Sequence, residues 1–371
     1  MKIIFTGGGT AGHIFPIIAI VREIKKAYPY GDFQFFYLGP EDRYGRKYLS
    51  QEGIEVKTVL AGKFRRYLSF SNITDVFKIP IGIIQAFYYI FIISPDLIFS
   101  KGGYGSVPAC LVGRVLMVPI FLHESDICPG LANRLISRFS LEIFTGFSIN
   151  ETEYFPNKKM LSVGNPIRLG VLKGSKTESK KIFKLTGEKP VIFFIGGSQG
   201  AQKINDVLLA VLPQVLEEFE IIHQVGDSNF VQIKKETDLI LSDKLKKYYH
   251  SFPFLDEREL GSAYYSADLV ISRAGAGSIF EIAANALPSI LVPLAGAAQN
   301  HQVRNAYAYA ERGAALVIEE SNFKPHFIFE RIKYLFSQPE RMDQMSEKAA
   351  QFARPNSARI IAEYLVTYLT Q

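Results

Sequence analysis

The chain has 371 residues, 48% of them hydrophobic and 21% charged, a composition that fits about two folded domains and excludes a disordered or fibrous protein. Its two cysteines, Cys110 and Cys128, are too few for a disulfide framework and lack metal-ligand spacing, so both read as reduced thiols of a cytosolic protein. The formal charge of +6 suits phosphorylated substrates or an anionic membrane surface, whereas nucleic acid is not expected, because the chain carries no RNA-binding signature and no long basic run.

Residues 3–6 read as a buried strand, followed by Gly7-Gly-Gly-Thr-Ala-Gly-His13 and a helix over 14–28. The chain enters that strand directly after Lys2, so no secretory leader is expected. A strand at 33–38 precedes a polar stretch at 40–46. The run 79–93 is almost wholly apolar, with Gln85 its one strongly polar side chain and Pro80 and Pro95 as brackets. It falls short of the roughly 18–20 residues needed to span a bilayer. Two readings stay open, a buried helix and a surface helix dipping into lipid headgroups. Arg65, Arg66 and Lys78 lie just upstream, where anionic lipid would attract them, and Ile83 and Phe87 would enter the membrane.

A short strand at 97–99 leads into a second glycine turn, Lys101-Gly-Gly-Tyr-Gly-Ser106. Strands at 120–123, 143–146 and 161–163, with a helix at 130–138, close the first half. Gly164-Asn-Pro-Ile-Arg168 marks a turn, and 174–181 reads as a loop. The second half restarts at 191–195 and repeats the opening phrase, an apolar strand, the turn Gly196-Gly-Ser-Gln-Gly200 and a helix. Further strands follow at 221–224, 269–272 and 289–292. The tail, 355–369, reads as one amphipathic helix with Ile360, Ile361, Tyr364, Leu365 and Leu369 on its apolar side. The alternation predicts a parallel α/β fold, and the doubled phrase predicts two Rossmann-like domains with a cleft between them.

The strongest chemical signal is Ser272-Arg-Ala-Gly-Ala-Gly-Ser-Ile-Phe-Glu281. It joins a strand to a helix, so its free amides and positive dipole end suit a diphosphate. Glu281, read in the first helical turn, could accept hydrogen bonds from a ribose diol; Ser278-x-x-Glu281 also has the spacing of a capping box. Gly196–Gly200 lacks the full dinucleotide spacing and an acidic ribose partner, which argues against a dehydrogenase. His13 begins the first helix, where the dipole favours the neutral imidazole a general base needs. His123-Glu-Ser-Asp126 ends another strand, at the edge where α/β folds bind ligands, and could equally cap the next helix. His301 and Gln302 can each donate to and accept from sugar hydroxyls, or belong to a solvated loop. Phe254 could cover a base ring or belong to the core.

Seven motifs occur in order: Gly7 to Pro16, Gly102 to Pro108, His123 to Asp126, Gly164 to Arg168, Gly196 to Ala201, Arg273 through Glu281, and His301-Gln302. Together they resemble the MurG family of N-acetylglucosaminyltransferases of peptidoglycan synthesis, over essentially the whole chain. The resemblance implies a GT-B fold, with a first domain of 1–164 plus a crossing C-terminal helix at about 355–371, and a second domain of 165–354. It implies inverting transfer of N-acetylglucosamine from UDP-N-acetylglucosamine to the C4 hydroxyl of the muramoyl sugar of lipid I, giving lipid II, at the cytoplasmic face of the membrane. Other cell-wall synthesis proteins are compatible partners.

Carried onto this chain, the resemblance puts the donor mainly in the second domain. Phe254 and Leu255 would frame the uracil with Arg168 nearby, and Glu281 would bind the ribose. Ser198 and the amides of Ala276, Gly277 and Ser278 would hold the diphosphate, and His301 and Gln302 would read the sugar. Thr10, Gly12 and Asp126 would complete the donor contacts. Gly8, Gly9, Gly102, Gly103, Tyr104 and Gly105 would face the acceptor pyrophosphate. His13 leads as catalytic base and Glu124 is second. Family members often carry glycine where this chain has Ala11, and Gln-Asn where it has Ser125-Asp126. No metal-ligand cluster is evident, so no cofactor is required and a divalent cation is left as an auxiliary. Competing readings are a transferase acting on another lipid such as diacylglycerol, a non-catalytic UDP-sugar-binding subunit and, last, a nicotinamide oxidoreductase.

Overall fold

The computed structural model describes residues 1–9, 11–42, 45–62, 70–148, 154–155, 159–197, 200–296 and 298–371, with backbone alone at 70–74 and 298. The chain divides into two units, Met1–Arg168 with Pro355–Gln371, and Leu169–Arg354.

The first unit holds β1 (Lys2–Thr6), α1 (Ala11–Ala27), β2 (Gln34–Gly39), α2 (Gly45–Gln51), β3 (Ile54–Thr58), α3 (Phe70–Ile93), β4 (Leu97–Ser100), α4 (Val107–Val115), β5 (Ile120–Glu124), α5 (Leu131–Ile136), β6 (Glu142–Thr145) and β7 (Met160–Ser162). Its strands pair in parallel in the order β3-β2-β1-β4-β5-β6-β7. The second unit holds α6 (Lys176–Phe183), β8 (Val191–Ile195), α7 (Gln202–Glu218), β9 (Glu220–Gln224), α8 (Phe230–Ile240), α9 (Asp243–Lys246), β10 (Tyr249–Phe252), α10 (Glu257–Ser266), β11 (Leu269–Ser272), α11 (Ala276–Ala284), β12 (Ser289–Leu291), α12 (His301–Ala310), β13 (Ala315–Val317), α13 (Pro325–Phe336) and α14 (Pro339–Phe352). Its sheet runs β10-β9-β8-β11-β12-β13, also parallel. The last helix, α15 (Ser357–Thr370), belongs to the first unit.

Both sheets have the doubly wound order, reversing beside the first strand of each unit. The reversal lies between β1 and β4 in one and between β8 and β11 in the other. Crossovers leave these pairs on opposite sides, which opens a crevice at their carboxyl ends. All four glycine-rich turns of the sequence leave those four strands. The central strands are buried on both faces, as a parallel sheet requires. Ile3 and Phe5 point into a core with Ile17 of α1 and Ile361 and Leu365 of α15. Ile4, between them, points into the opposite core with Ile90 of α3 and Cys110 of α4. Tyr364 sets its ring edge on Phe144, centroids 5.3 Å apart, and Tyr368 does the same on Phe121 at 5.0 Å. Ile360, read as part of this apolar side, is 42% exposed instead.

Strands β3, β10 and β13 escape a reading from pattern. They are sheet edges, half-buried along much of their length; β3 and β10 carry no continuous apolar run, and β13 is only three residues long. The apolar run 79–93 is the second difference. The helix is 24 residues long and passes through Pro80, and its segment Asp75–Ile93 is long and apolar enough to cross a membrane by length and composition. An interior proline costs about 3 kcal/mol of helix stability. Tertiary packing offsets it here: Ala86, Ile90 and Ile93 are buried against β4 and α4, and Gly82 lies so close to the Leu60 carbonyl that a Cβ would meet it.

Candidate active site

In the first unit, two loops interlock at the switch point. The Gly8 amide donates to the Gly102 carbonyl at 2.8 Å, and the Lys101 amide donates to the Thr6 carbonyl at 2.8 Å. His13, the third residue of α1, lays its ring between them. A Cβ on Gly8 would stand 3.0 Å from its Cε1, and one on Gly103 would stand 2.9 Å from its Nε2. Gly103 also has φ +83°, so both space and backbone demand glycine there. Gly105 is constrained by space alone, since a Cβ would lie 2.4 Å from the Gly7 carbonyl oxygen. Gly9 faces the Tyr104 hydroxyl and Pro40. His13 is half-buried by surface, but the loops crowd its ring; that burial, aided by the Lys101 charge and opposed by Asp126, pushes its pKa down to about 4. The imidazole is therefore neutral at pH 7.

Glu124 closes β5 with both oxygens engaged. Oε1 accepts from the Asp126 amide at 2.9 Å, and Oε2 accepts from Asn133 Nδ2 at 2.6 Å. Asn133 Oδ1 in turn accepts from the Gly103 amide at 3.1 Å. Burial and Asp126 push the Glu124 carboxyl up to about 7, against the bonds from Asp126 and Asn133 and the Lys101 charge. Through Asn133 this geometry ties Glu124, the second candidate base of the sequence reading, to the Gly103 turn. Asn133 escaped the sequence reading because a helical asparagine gives no sign of facing inward.

Gly12 is exposed at the second position of α1, and Asp126 is half-exposed in the loop after β5. Arg168 departs from expectation. It belongs to the first unit, where its buried guanidinium lies 3.7 Å from the Phe15 ring centroid. Thr10, Ser198, Arg65 and Arg66 lie outside the described residues.

In the second unit, Gly197 (φ +82°) and Gly200 (φ +76°) shape the turn between β8 and α7. Gln224, at the end of β9, joins that turn to the next loop: Nε2 donates to the Gly197 carbonyl at 3.1 Å, and Oε1 accepts from the Leu255 amide at 3.2 Å. The sequence reading placed Gln224 only as a strand end. Phe254 is half-buried, whereas Leu255 is 1% exposed and part of the core. The Leu255 side chain therefore packs inward, into the α10 core that includes Leu260 and Tyr264.

α11 follows β11 directly. Its N-cap is Gly275, with extended backbone and no side-chain cap, and nothing would meet a Cβ at Gly275 or Gly277. The amides of Ala276, Gly277 and Ser278 thus open its N-terminus, suited to phosphate oxygens. Glu281 is the sixth helical residue, beyond the first turn, so the Ser278–Glu281 capping box does not form. Its Oε2 accepts from the Tyr264 hydroxyl at 3.3 Å. Arg273 is pinned behind the turn by the Val292 carbonyl at 3.1 Å and Glu320 at 2.5 Å. His301 begins α12 after two left-handed residues, Gln299 and Asn300, and Gln302 Oε1 accepts from the Leu294 amide at 3.0 Å. Side chains other than Asn and Asp seldom adopt that backbone, and such residues cluster at ligand clamps and active sites.

Residues 3–145 match the glycosyltransferase family 28 N-terminal domain, and residues 191–361 match its C-terminal domain. A UDP-N-acetylglucosamine--N-acetylmuramyl-(pentapeptide) pyrophosphoryl-undecaprenol N-acetylglucosamine transferase of Treponema denticola is 32% identical over 387 residues, covering 99% of this chain and 98% of the relative. The chain belongs to the MurG family. A second transferase so named, from Bacillus cereus, is 35% identical over 348 residues, covering 94% of this chain and 93% of its own. The crystal structure of Acinetobacter baumannii MurG shares the fold, with a TM-score of 0.73 at 24% identity and 99% of each chain covered. The MurG family assignment also accounts for the doubled Rossmann-like sheet.

Proposed function

We propose that the chain transfers N-acetylglucosamine from UDP-N-acetylglucosamine to the C4 hydroxyl of the muramoyl sugar of lipid I, giving lipid II. The observation that carries this is near full-length relationship to transferases of that name, with both family domains present. The C4 oxygen forms a bond to the anomeric carbon as the bond from that carbon to the β-phosphate oxygen breaks. UDP leaves, the configuration inverts, and the hydroxyl proton passes to a base. Turnover with UDP-N-acetylglucosamine and a lipid I analogue, against a diacylglycerol control, tests the reading; transfer to diacylglycerol alone would refute it.

The residue roles are those the sequence resemblance suggests, with the geometry in support. His13 takes the acceptor proton, as the half-buried neutral imidazole beside two glycine turns. The Gly8–Gly9 and Gly102–Gly105 backbone, with Tyr104, receives the acceptor diphosphate. The α11 amides receive the donor diphosphate, Ser198 joining them, and supply the charge stabilisation such a leaving group needs. Phe254 covers the base, and His301 and Gln302 read the sugar. Thr10, Gly12, Asp126 and Arg168 retain their donor-side assignment only as sequence-based proposals. No cofactor is required in this scheme, and turnover in the presence of a chelator tests whether a divalent cation contributes.

Glu281 receives the ribose hydroxyls, oriented by Tyr264. Glu281→Ala is expected to weaken UDP binding by about 1.5–3 kcal/mol, the range for hydrogen bonds to a charged group. The helix should persist, because Gly275 is its cap. Isothermal calorimetry showing unchanged UDP affinity would remove Glu281 from the donor site.

The protein lies on the cytoplasmic face of the membrane, held by α3. Val76, Phe77, Ile81, Ile84, Phe87, Tyr88, Phe91 and Ile92 are all exposed, the largest at 69%. Such a stripe on a soluble-type fold calls for a covering. Ile83 is half-buried against the core, so Phe87 is the better of the two apolar residues the sequence singled out. Lys78 is paired with Asp75 at 2.7 Å, which lessens its share of any lipid attraction.

A further inference from the structure

Lys101 takes no part in the scheme above, yet it is the most buried cation near His13, 2% exposed at the end of β4 and directly before the Gly102 turn. Burying an ammonium costs several kcal/mol unless its donors are satisfied. Here its Nζ bonds His123 Nδ1 at 3.0 Å, Asn165 Oδ1 at 3.2 Å and the Ser125 hydroxyl. His123 is fixed for this task. Its Nε2 stands 2.9 Å from the Gly164 carbonyl, which can only accept, so Nε2 carries the proton and Nδ1 keeps its lone pair for Lys101. All three partners are neutral, so they hold the charge in place without cancelling it.

The titratable groups around the node are distributed over three elements. His13 faces it from α1, His123 and Glu124 from β5, and Asp126 from the loop beyond. Glu124 is already engaged by Asn133 and the Asp126 amide. A neutral side chain would fill this space at less cost, which leaves the charge itself to be explained.

We propose that Lys101 is a positioning residue for transfer: its buried ammonium, held behind Gly102–Gly105, draws the acceptor diphosphate onto that turn and keeps a proton off His13. The inference rests on the reading of this turn as the acceptor diphosphate site. Both effects follow from one positive charge. It attracts the anion, and it disfavours a second cation on the imidazole. Burial pushes the Lys101 pKa down to about 8, against the pull of Glu124 and Asp126, so the charge is present below that pH and lost above it.

The test compares the full-length protein with Lys101→Met and Lys101→Arg, using UDP-N-acetylglucosamine and a soluble lipid I analogue. The acceptor KM is expected to rise about tenfold in Lys101→Met, the scale of one charge acting through a partly screened interior. The His13 midpoint, titrated by NMR, should move up toward the ordinary histidine range, since removing a cation eases protonation. Lys101→Arg should keep the low His13 midpoint. Wild type should lose kcat/KM for the acceptor as pH rises through about 8, and Lys101→Met should lack that limb. An unchanged His13 midpoint in a Lys101→Met protein that melts like wild type overturns the proposal. Should that variant fail to fold, a wild-type profile flat through pH 8 overturns it. A wild type inactive on the lipid acceptor would refute the acceptor reading, while the His13 titration still reads the effect of Lys101.

Discussion

His13→Ala is expected to lower turnover by about 10²–10⁴, the usual contribution of a general base, with UDP affinity unchanged. The ring stands at the third position of α1, gripped between Gly8 and Gly103, in a unit separate from the α11 amides proposed for the donor. Alanine cannot accept a proton and leaves the ring's space empty. The pH dependence carries the sign. A base with a pKa of about 4 works when unprotonated, so kcat/KM should hold from neutral pH down to about 5 and fall as pH drops through 4. Stability has the same direction: the unfolded histidine, with a pKa of about 6.5, binds a proton before the folded one does, so acid between those values favours unfolding. A thermal melt at each pH separates the two losses. An activity loss of only a few-fold in His13→Ala would promote Glu124 to the base role, despite its engaged oxygens.

The second large effect is expected on membrane affinity. Phe87 and Phe91 are 46% and 68% exposed on α3, their rings stacked with centroids 6.1 Å apart. Burying a phenylalanine is worth about 1.5–3 kcal/mol. Replacing both by glutamate should therefore weaken vesicle binding by about 10²–10⁴, and repulsion from anionic lipid adds to that. The fold should survive, because α3 is anchored by Ala86, Ile90 and Ile93 on its other side. Turnover on a short-chain soluble acceptor should be spared. Added salt should weaken wild-type binding only in part, since screening leaves the apolar share untouched. Co-sedimentation with anionic and neutral vesicles measures this; equal binding of wild type and the double variant would mean that α3 is covered by something other than lipid.

The sequence by itself determined the fold class and the chemistry of the turns. The apolar runs at residues 3–6 and 191–195, each ending in glycines, declare buried parallel strands and anion-binding turns, because burial on both faces and close backbone approach are local demands written into residue type. Seven motifs in order carried the family. Only the tertiary structure decided which residues these turns face. Strand order put Lys101 and Gly102 beside Gly8, and no pattern within β1 or β4 records that pairing. Lys101, Asn133 and Gln224 are buried polar side chains whose partners lie 9 to 64 residues away, so their neighbourhoods are invisible along the chain. The burial of Leu255 and Arg168 was likewise not legible in the sequence: it depends on what packs against a side chain, and that is settled by the whole unit. The helix through Pro80 makes the point energetically. Local propensity ends it at the proline, and the core contacts of Ala86, Ile90 and Ile93 carry it on.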